Sequence, residues 1–121
     1  MSRLSVLRSL LLAYAAAIVA IALTPRALSI QPYPPKPGGL SDFVGNIALF
    51  VPLGLLIPLI WPQLRSLTPV AVIAAGSSAT IELLQLVIPG RSPSLQDIAL
   101  NTLGAVIGAI LFLEILDNRG Q

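Results

Sequence analysis

Apolar residues run along this chain in four blocks, with proline, glycine and charge gathered between them. The blocks cover about residues 7–24, 42–61, 67–88 and 97–116. Roughly 20 mainly apolar residues are needed for one helix to cross a hydrocarbon core of about 30 Å, and each block approaches that length. Thr24-Pro25 closes the first block, and the stretch 31–39 (QPYPPKPGG) is too rich in proline and glycine to be helical. Trp61-Pro62 ends the second before a short turn at 63–66, and Pro89-Gly90 ends the third. Ser94 with Asp97 three residues later has the spacing of a helix-starting capping box. The pattern predicts an all-α integral membrane four-helix bundle, a single transmembrane domain over residues 1–121.

The polar positions inside these blocks are few and ordered. Asp42 and Asn46 lie four apart, Glu82 and Gln85 three apart, and Asp97 and Asn101 four apart, so each acid–amide pair shares one helical face. Because the third block runs opposite to the second and fourth, the pairs also share a depth. At about 1.5 Å per residue, Asn46 and Asn101 sit roughly 6 Å inside their helix starts, Glu82 roughly 9 Å and Gln85 roughly 4 Å before the end of theirs. All six fall in one band at the membrane face that carries the Arg91 loop. The seams predicted to pack are Asp42, Asn46, Leu49 and Leu53; Ala71, Ala75, Ser78, Glu82 and Gln85; and Asp97, Asn101, Gly104 and Gly108. Gly104 and Gly108 form a GxxxG pattern, which permits close helix approach in lipid. Pro52 and Pro58 each remove a backbone donor, predicting a kink or local opening near residues 48–54.

Composition agrees with a lipid solvent. Apolar residues make up 55% of the 121, charged residues only 10%, and mean hydropathy is +0.90; soluble domains carry about 25% charged residues. The net charge of +2 comes from cations scattered at segment ends. That arrangement suits anionic headgroups and orientation signals and argues against nucleic acid. With neither Cys nor His, thiol catalysis, structural zinc and an imidazole base are all excluded. No metal or cofactor is expected. The first block could be taken for a signal peptide ending near Ala20-Ile21-Ala22, but it pairs more naturally with three further spans. With the amino terminus inside, Arg3, Arg8, Arg65 and Arg119 face the cytoplasm, against Arg26, Lys36 and Arg91 outside. This predicts that both termini are cytoplasmic.

Plainer roles exist for most of these groups. Asp42 and Asp97 fit first-turn acids facing the helix dipole; Asn46, Gln85 and Asn101 fit interhelical hydrogen bonding; Arg91 fits an interfacial anchor. Glu114, Asp117, Asn118 and Arg119 read as a solvated tail. Glu82 resists such a reading, since an acid at mid-helix costs about 2.5 to 3.5 kcal/mol on insertion scales. Arg91 is its nearest cation in sequence.

The run from Asp42 to Gly54 (DFVGNIALFVPLG) resembles the VanZ-like family, whose second span reads D…N-x-x-x-F-x-P-x-G. Glu82, Gln85, Arg91, Asp97, Asn101, Gly104 and Gly108 follow its E-x-x-Q…R…D-x-x-x-N-x-x-G-x-x-x-G pattern. The resemblance covers about residues 42–108. Members are small bacterial multi-spanning membrane proteins, and the name-giving one is associated with low-level resistance to teicoplanin, a lipid-tailed glycopeptide. The resemblance implies a site for an envelope lipid or amphiphilic glycopeptide near the outer leaflet of the cell membrane, lined by Asp42, Asn46, Glu82, Gln85, Arg91, Asp97 and Asn101.

Three alternatives stay open at this stage. Three carboxylates with amides could hold a hard divalent cation in an integral membrane enzyme acting on a lipid headgroup. The polar band could instead pack against another membrane protein or a second copy of the chain. A transporter is disfavoured, because no internal repeat is evident and the polar groups stop short of the inner face.

Overall fold

A computed structural model describes residues 2–25 and 39–120. Arg26, Lys36 and nearly all of the Pro/Gly-rich stretch therefore lie outside the described residues. Ser2 starts the first helix, α1 (Arg3–Leu23), by accepting the Ser5 amide on its hydroxyl at 3.1 Å. Helix α2 (Leu40–Ile60) follows, then a 3-10 turn at Pro62–Leu64, α3 (Leu67–Gln85) and α4 (Leu95–Arg119). All four helices are long and apolar enough to cross a membrane. Over the described residues the fold is an all-helical bundle of four such spans.

Three boundaries differ from the hydropathy pattern by three residues or more, the first being the start of α1 at Arg3, four residues ahead of the expected block. Helix α3 ends at Gln85, and the next three amides bond three residues back, so residues 86–88 tighten out of the α-helix. Gly90 then takes a left-handed φ of 78° and turns the chain toward α4. Helix α4 continues to Arg119, so the charged carboxyl-terminal residues extend the helix. Despite Pro52 and Pro58, α2 remains one helix from Leu40 to Ile60.

Helices α2 and α4 form the most closely packed pair. Gly54 backs onto the Ala105 carbonyl, Gly104 onto the Ile47 carbonyl and Gly108 onto the Val51 carbonyl; a Cβ at any of the three would overlap that backbone. Small residues let two backbones approach this way in lipid, where dispersion and packing replace the hydrophobic drive between helices. Helix α3 packs on α4, and α1 lies against α2 and α3. The core comprises Ile18, Phe50, Ile57, Val70, Ala74, Ile81, Ala105 and Ala109. On α3 the buried seam is Val70, Ala74, Ser78, Ile81, Glu82 and Gln85, whereas Ala71 and Ala75 are only half-buried. The amino-terminal half of the expected seam is thus rotated by one residue.

The membrane end opposite the polar band is closed by Arg65. Pro58 would normally offer its carbonyl to the amide of residue 62, but residue 62 is proline and has none. The Arg65 Nε donates to that carbonyl at 3.2 Å, and the guanidinium lies 5.6 Å from the centre of the Phe112 ring on α4. Cation–π contact and a carbonyl cap thus join the α2–α3 turn to α4.

The glycine contacts give a direct prediction. Gly104→Ala and Gly108→Ala should each lower unfolding stability in detergent by about 1–3 kcal/mol through overpacking. Gly45→Ala and Gly76→Ala, where an added methyl meets nothing within 4 Å, should be neutral or stabilising by roughly 0.5–1 kcal/mol. Equal effects at all four positions would contradict the close α2–α4 approach.

Candidate functional site

The polar band forms where α1 and α3 end and α2 and α4 begin. Each side chain there is positioned by a backbone need as much as by another side chain. The start of α4 shows this most clearly. Ser94 caps the helix, its hydroxyl accepting the Asp97 amide at 3.2 Å. In a reciprocal capping box the residue three positions on would return a bond to the cap's own amide. Here Glu82 of α3 takes that place: the Ser94 amide donates to Glu82 Oε2 at 2.6 Å. The Asp97 carboxylate is thereby released to another helix. Its Oδ1 accepts from Asn46 Nδ2 of α2 at 2.8 Å.

One turn deeper, Asn101 Nδ2 donates to the Ser78 hydroxyl of α3 at 2.8 Å. Ser78 is fully buried and Asn101 is 8% exposed. The Asn101 carbonyl oxygen is buried without a hydrogen-bond partner. Ser78–Asn101 and Glu82–Ser94 form two successive rungs between α3 and α4, since Ser78 and Glu82 are four apart on one helix and Asp97 and Asn101 four apart on the other. Glu82 is only 5% exposed, with Asp97 and Arg91 both within electrostatic reach.

Gln85 and Arg91 are turned toward α1. A helix leaves its last carbonyls without intrahelical donors, which is costly at membrane depth. Gln85 Nε2 donates to the Ala22 carbonyl at 2.8 Å. Arg91 reaches the Thr24 carbonyl through Nε at 3.2 Å and Nη2 at 3.0 Å, and the Ile21 carbonyl through Nη2 at 3.3 Å. The Thr24 hydroxyl takes the Ala20 carbonyl at 2.6 Å. The fraying end of α1 is thus held by side chains from α3 and the loop after it.

The seven residues singled out from the sequence are therefore not one set. Asn46, Glu82, Asp97 and Asn101 meet between α2, α3 and α4. Gln85 and Arg91 hold α1. Asp42 is exposed in the first turn of α2 and makes no side-chain hydrogen bond among the described residues. Gly104 and Gly108 lie inside the α2–α4 contact, so the GxxxG pattern is occupied within the chain. Ser78 and Ser94 belong to the network but were not singled out as site residues; their signal was position, on the face of Glu82 and at the cap of α4. Tyr14 was also missed. Its hydroxyl donates to the Leu49 carbonyl at 2.9 Å, tying α1 to α2. Among the described residues, no group of three His, Cys, Asp or Glu side chains is gathered closely enough to hold a metal ion.

A bundle of four membrane-type helices, apolar outside and joined at one end by acid–amide contacts between spans, defines a small polytopic membrane protein. The chain belongs to the VanZ/LLP1 family, whose model matches residues 4–116 and so takes in α1 as well as the motif-bearing region. Comparison with curated proteins and with solved structures gave no match.

Gln85→Leu should destabilise the protein by about 1 kcal/mol, the net worth of one hydrogen bond, and Arg91→Met by about 1.5–3 kcal/mol, since its bonds come from a charged donor. Because both side chains serve the same turn of α1, a double-mutant cycle followed by unfolding in micelles should show coupling above roughly 0.5 kcal/mol. Strict additivity would mean that the two contacts act on separate elements.

Proposed function

We propose that this protein is a non-catalytic component of the bacterial cell membrane that binds the polar head of an amphiphilic envelope molecule, an envelope lipid or a lipid-tailed glycopeptide of the teicoplanin kind. The observation that carries this reading is the convergence of polar groups from all four helices at one end of an otherwise apolar bundle. Glu82, Asp97, Asn46 and Asn101 supply side chains, and the end of α1, its carbonyls held by Gln85 and Arg91, borders them. Such a site offers polar contacts at headgroup depth while the ligand's tails remain in lipid. Ionisable side chains within a span are expensive, and function is the default explanation for them.

Orientation follows from charge. Arg3, Arg65 and Arg119 lie at the opposite end of the bundle from the polar cluster, and Arg8 lies in the half of α1 nearer to them. By the positive-inside tendency these four arginines, against Arg26, Lys36 and Arg91 in the opposite loops, favour a cytoplasmic face for both termini and an outer-leaflet position for the polar cluster. An amphiphile arriving from outside meets the cluster first. Teicoplanin-type resistance is the phenotype this reading connects to the family.

The test is the inhibitory concentration of teicoplanin and of vancomycin for a susceptible Gram-positive host expressing the chain. A rise of roughly fourfold or more for teicoplanin alone is expected, since a factor of four requires under 1 kcal/mol of differential binding. Glu82→Gln and Asp97→Asn keep an acceptor at each hydrogen bond and remove the charge. Together they should abolish the rise while the protein still inserts. An undiminished rise in the double variant would remove the cluster from the function.

A further inference from the structure

The hydrogen bonds of the cluster are lopsided. Asn46 and the Ser94 amide, its donors toward the carboxylates, are both spent on protein partners. Arg91, the nearby cation, turns its Nε and Nη2 onto the Ile21 and Thr24 carbonyls. The acceptors are not used up. Glu82 engages one carboxylate oxygen and Asp97 one, and the second oxygen of each accepts no hydrogen bond among the described residues. One turn below them the Asn101 carbonyl oxygen is fully buried and has no partner. Buried acceptors left without donors carry a desolvation penalty that a bound donor relieves. Asn101 Oδ1 is the buried acceptor of this kind among the described residues, and the second oxygens of Glu82 and Asp97 add two carboxylate acceptors above it.

We propose that the cluster selects an amphiphile whose head carries a hydrogen-bond-donating primary ammonium, held between Glu82 and Asp97 and donating inward toward Asn101 Oδ1. This rests on the ligand-binding reading above and adds the chemical class of the head. An ammonium has three donors and no acceptor, which complements the two open carboxylate oxygens and the unpartnered Asn101 oxygen. Its bonds to carboxylates are charge-assisted and are stronger than neutral ones. An anionic head would face two carboxylates with the neighbouring donors already engaged. A quaternary ammonium would keep the charge but bring no N–H for the buried oxygen.

The experiment uses the full chain in nanodiscs and three phospholipids with identical short tails. Phosphatidylethanolamine carries the primary ammonium, phosphatidylcholine its trimethylated counterpart, and phosphatidylglycerol an anionic head with hydroxyls. Saturable binding is measured for each. Phosphatidylethanolamine should bind roughly tenfold more tightly than either of the others, the scale of one charge-assisted hydrogen bond. Glu82→Gln with Asp97→Asn should reduce it to their level. Ser78→Ala with Asn101→Leu removes both partners of the deep contact together with the unpartnered oxygen. That pair should retain the thermal midpoint yet lose most of the preference. Equal affinity for all three lipids, or preference for phosphatidylglycerol, would overturn the ammonium assignment and leave amphiphile binding standing. No saturable binding of any of the three would overturn the ammonium assignment and remove phospholipids from the ligand reading, leaving the glycopeptide arm to the inhibitory-concentration test.

Discussion

The bond from the Ser94 amide to the Glu82 carboxylate is the contact on which the polar end of this molecule depends. A carboxylate in an apolar span must find donors, and the first amides of a helix must find acceptors; in lipid neither can turn to water. Glu82 and the start of α4 meet both requirements at once, at 2.6 Å. The consequence spreads outward. With its cap amide taken by α3, the opening turn of α4 has no local use for the Asp97 carboxylate, which is free to hold Asn46 of α2. Three helices are thereby fixed in register at one membrane face.

Beneath that clamp the packing is set by glycine. Gly54, Gly104 and Gly108 let α2 and α4 touch backbone to backbone, and this contact keeps Asn46 within reach of Asp97. The opposite end is closed by different means, with Arg65 satisfying a carbonyl orphaned by Pro62 and covering Phe112. Helix α1 stands apart from this frame. Ile18 is its single buried residue, and its attachments are the Tyr14 hydroxyl and the carbonyls held by Gln85 and Arg91. Held by so few contacts, α1 is the least embedded of the four helices.

The sequence carried the four spans and the family openly, because hydropathy blocks and ordered motifs are local signals. It also placed the polar pairs in one band, since spacings of three and four and the alternation of helix direction suffice for that. It could not divide the band. Gln85 and Arg91 look like site residues because their partners are the backbone carbonyls of Ile21, Ala22 and Thr24, which no residue identity advertises. Asp42 looked equivalent to Asp97 by spacing, yet α2 starts with that turn exposed, while α4 starts against α3. The α3 seam was misplaced by one residue in its first half because Val70, Ala71, Ala74 and Ala75 are all small or apolar and periodicity alone does not choose among them. The unpartnered Asn101 oxygen follows from the three-dimensional position of Ser78 opposite it on α3, a pairing across 23 residues that no local pattern announces.

Helices α3 and α4 face each other along Ser78–Asn101 and Glu82–Ser94, gathering the acidic groups between them. The absence of cysteine makes this arrangement directly measurable. Ser78→Cys with Asn101→Cys, treated in native membranes with a short bifunctional thiol reagent, should cross-link within one chain. Ser77→Cys with Asn101→Cys, which moves the first thiol onto the exposed face of α3, should not. Equal cross-linking of the two pairs, or reaction of the Ser77 pair alone, would contradict the facing arrangement and with it the site.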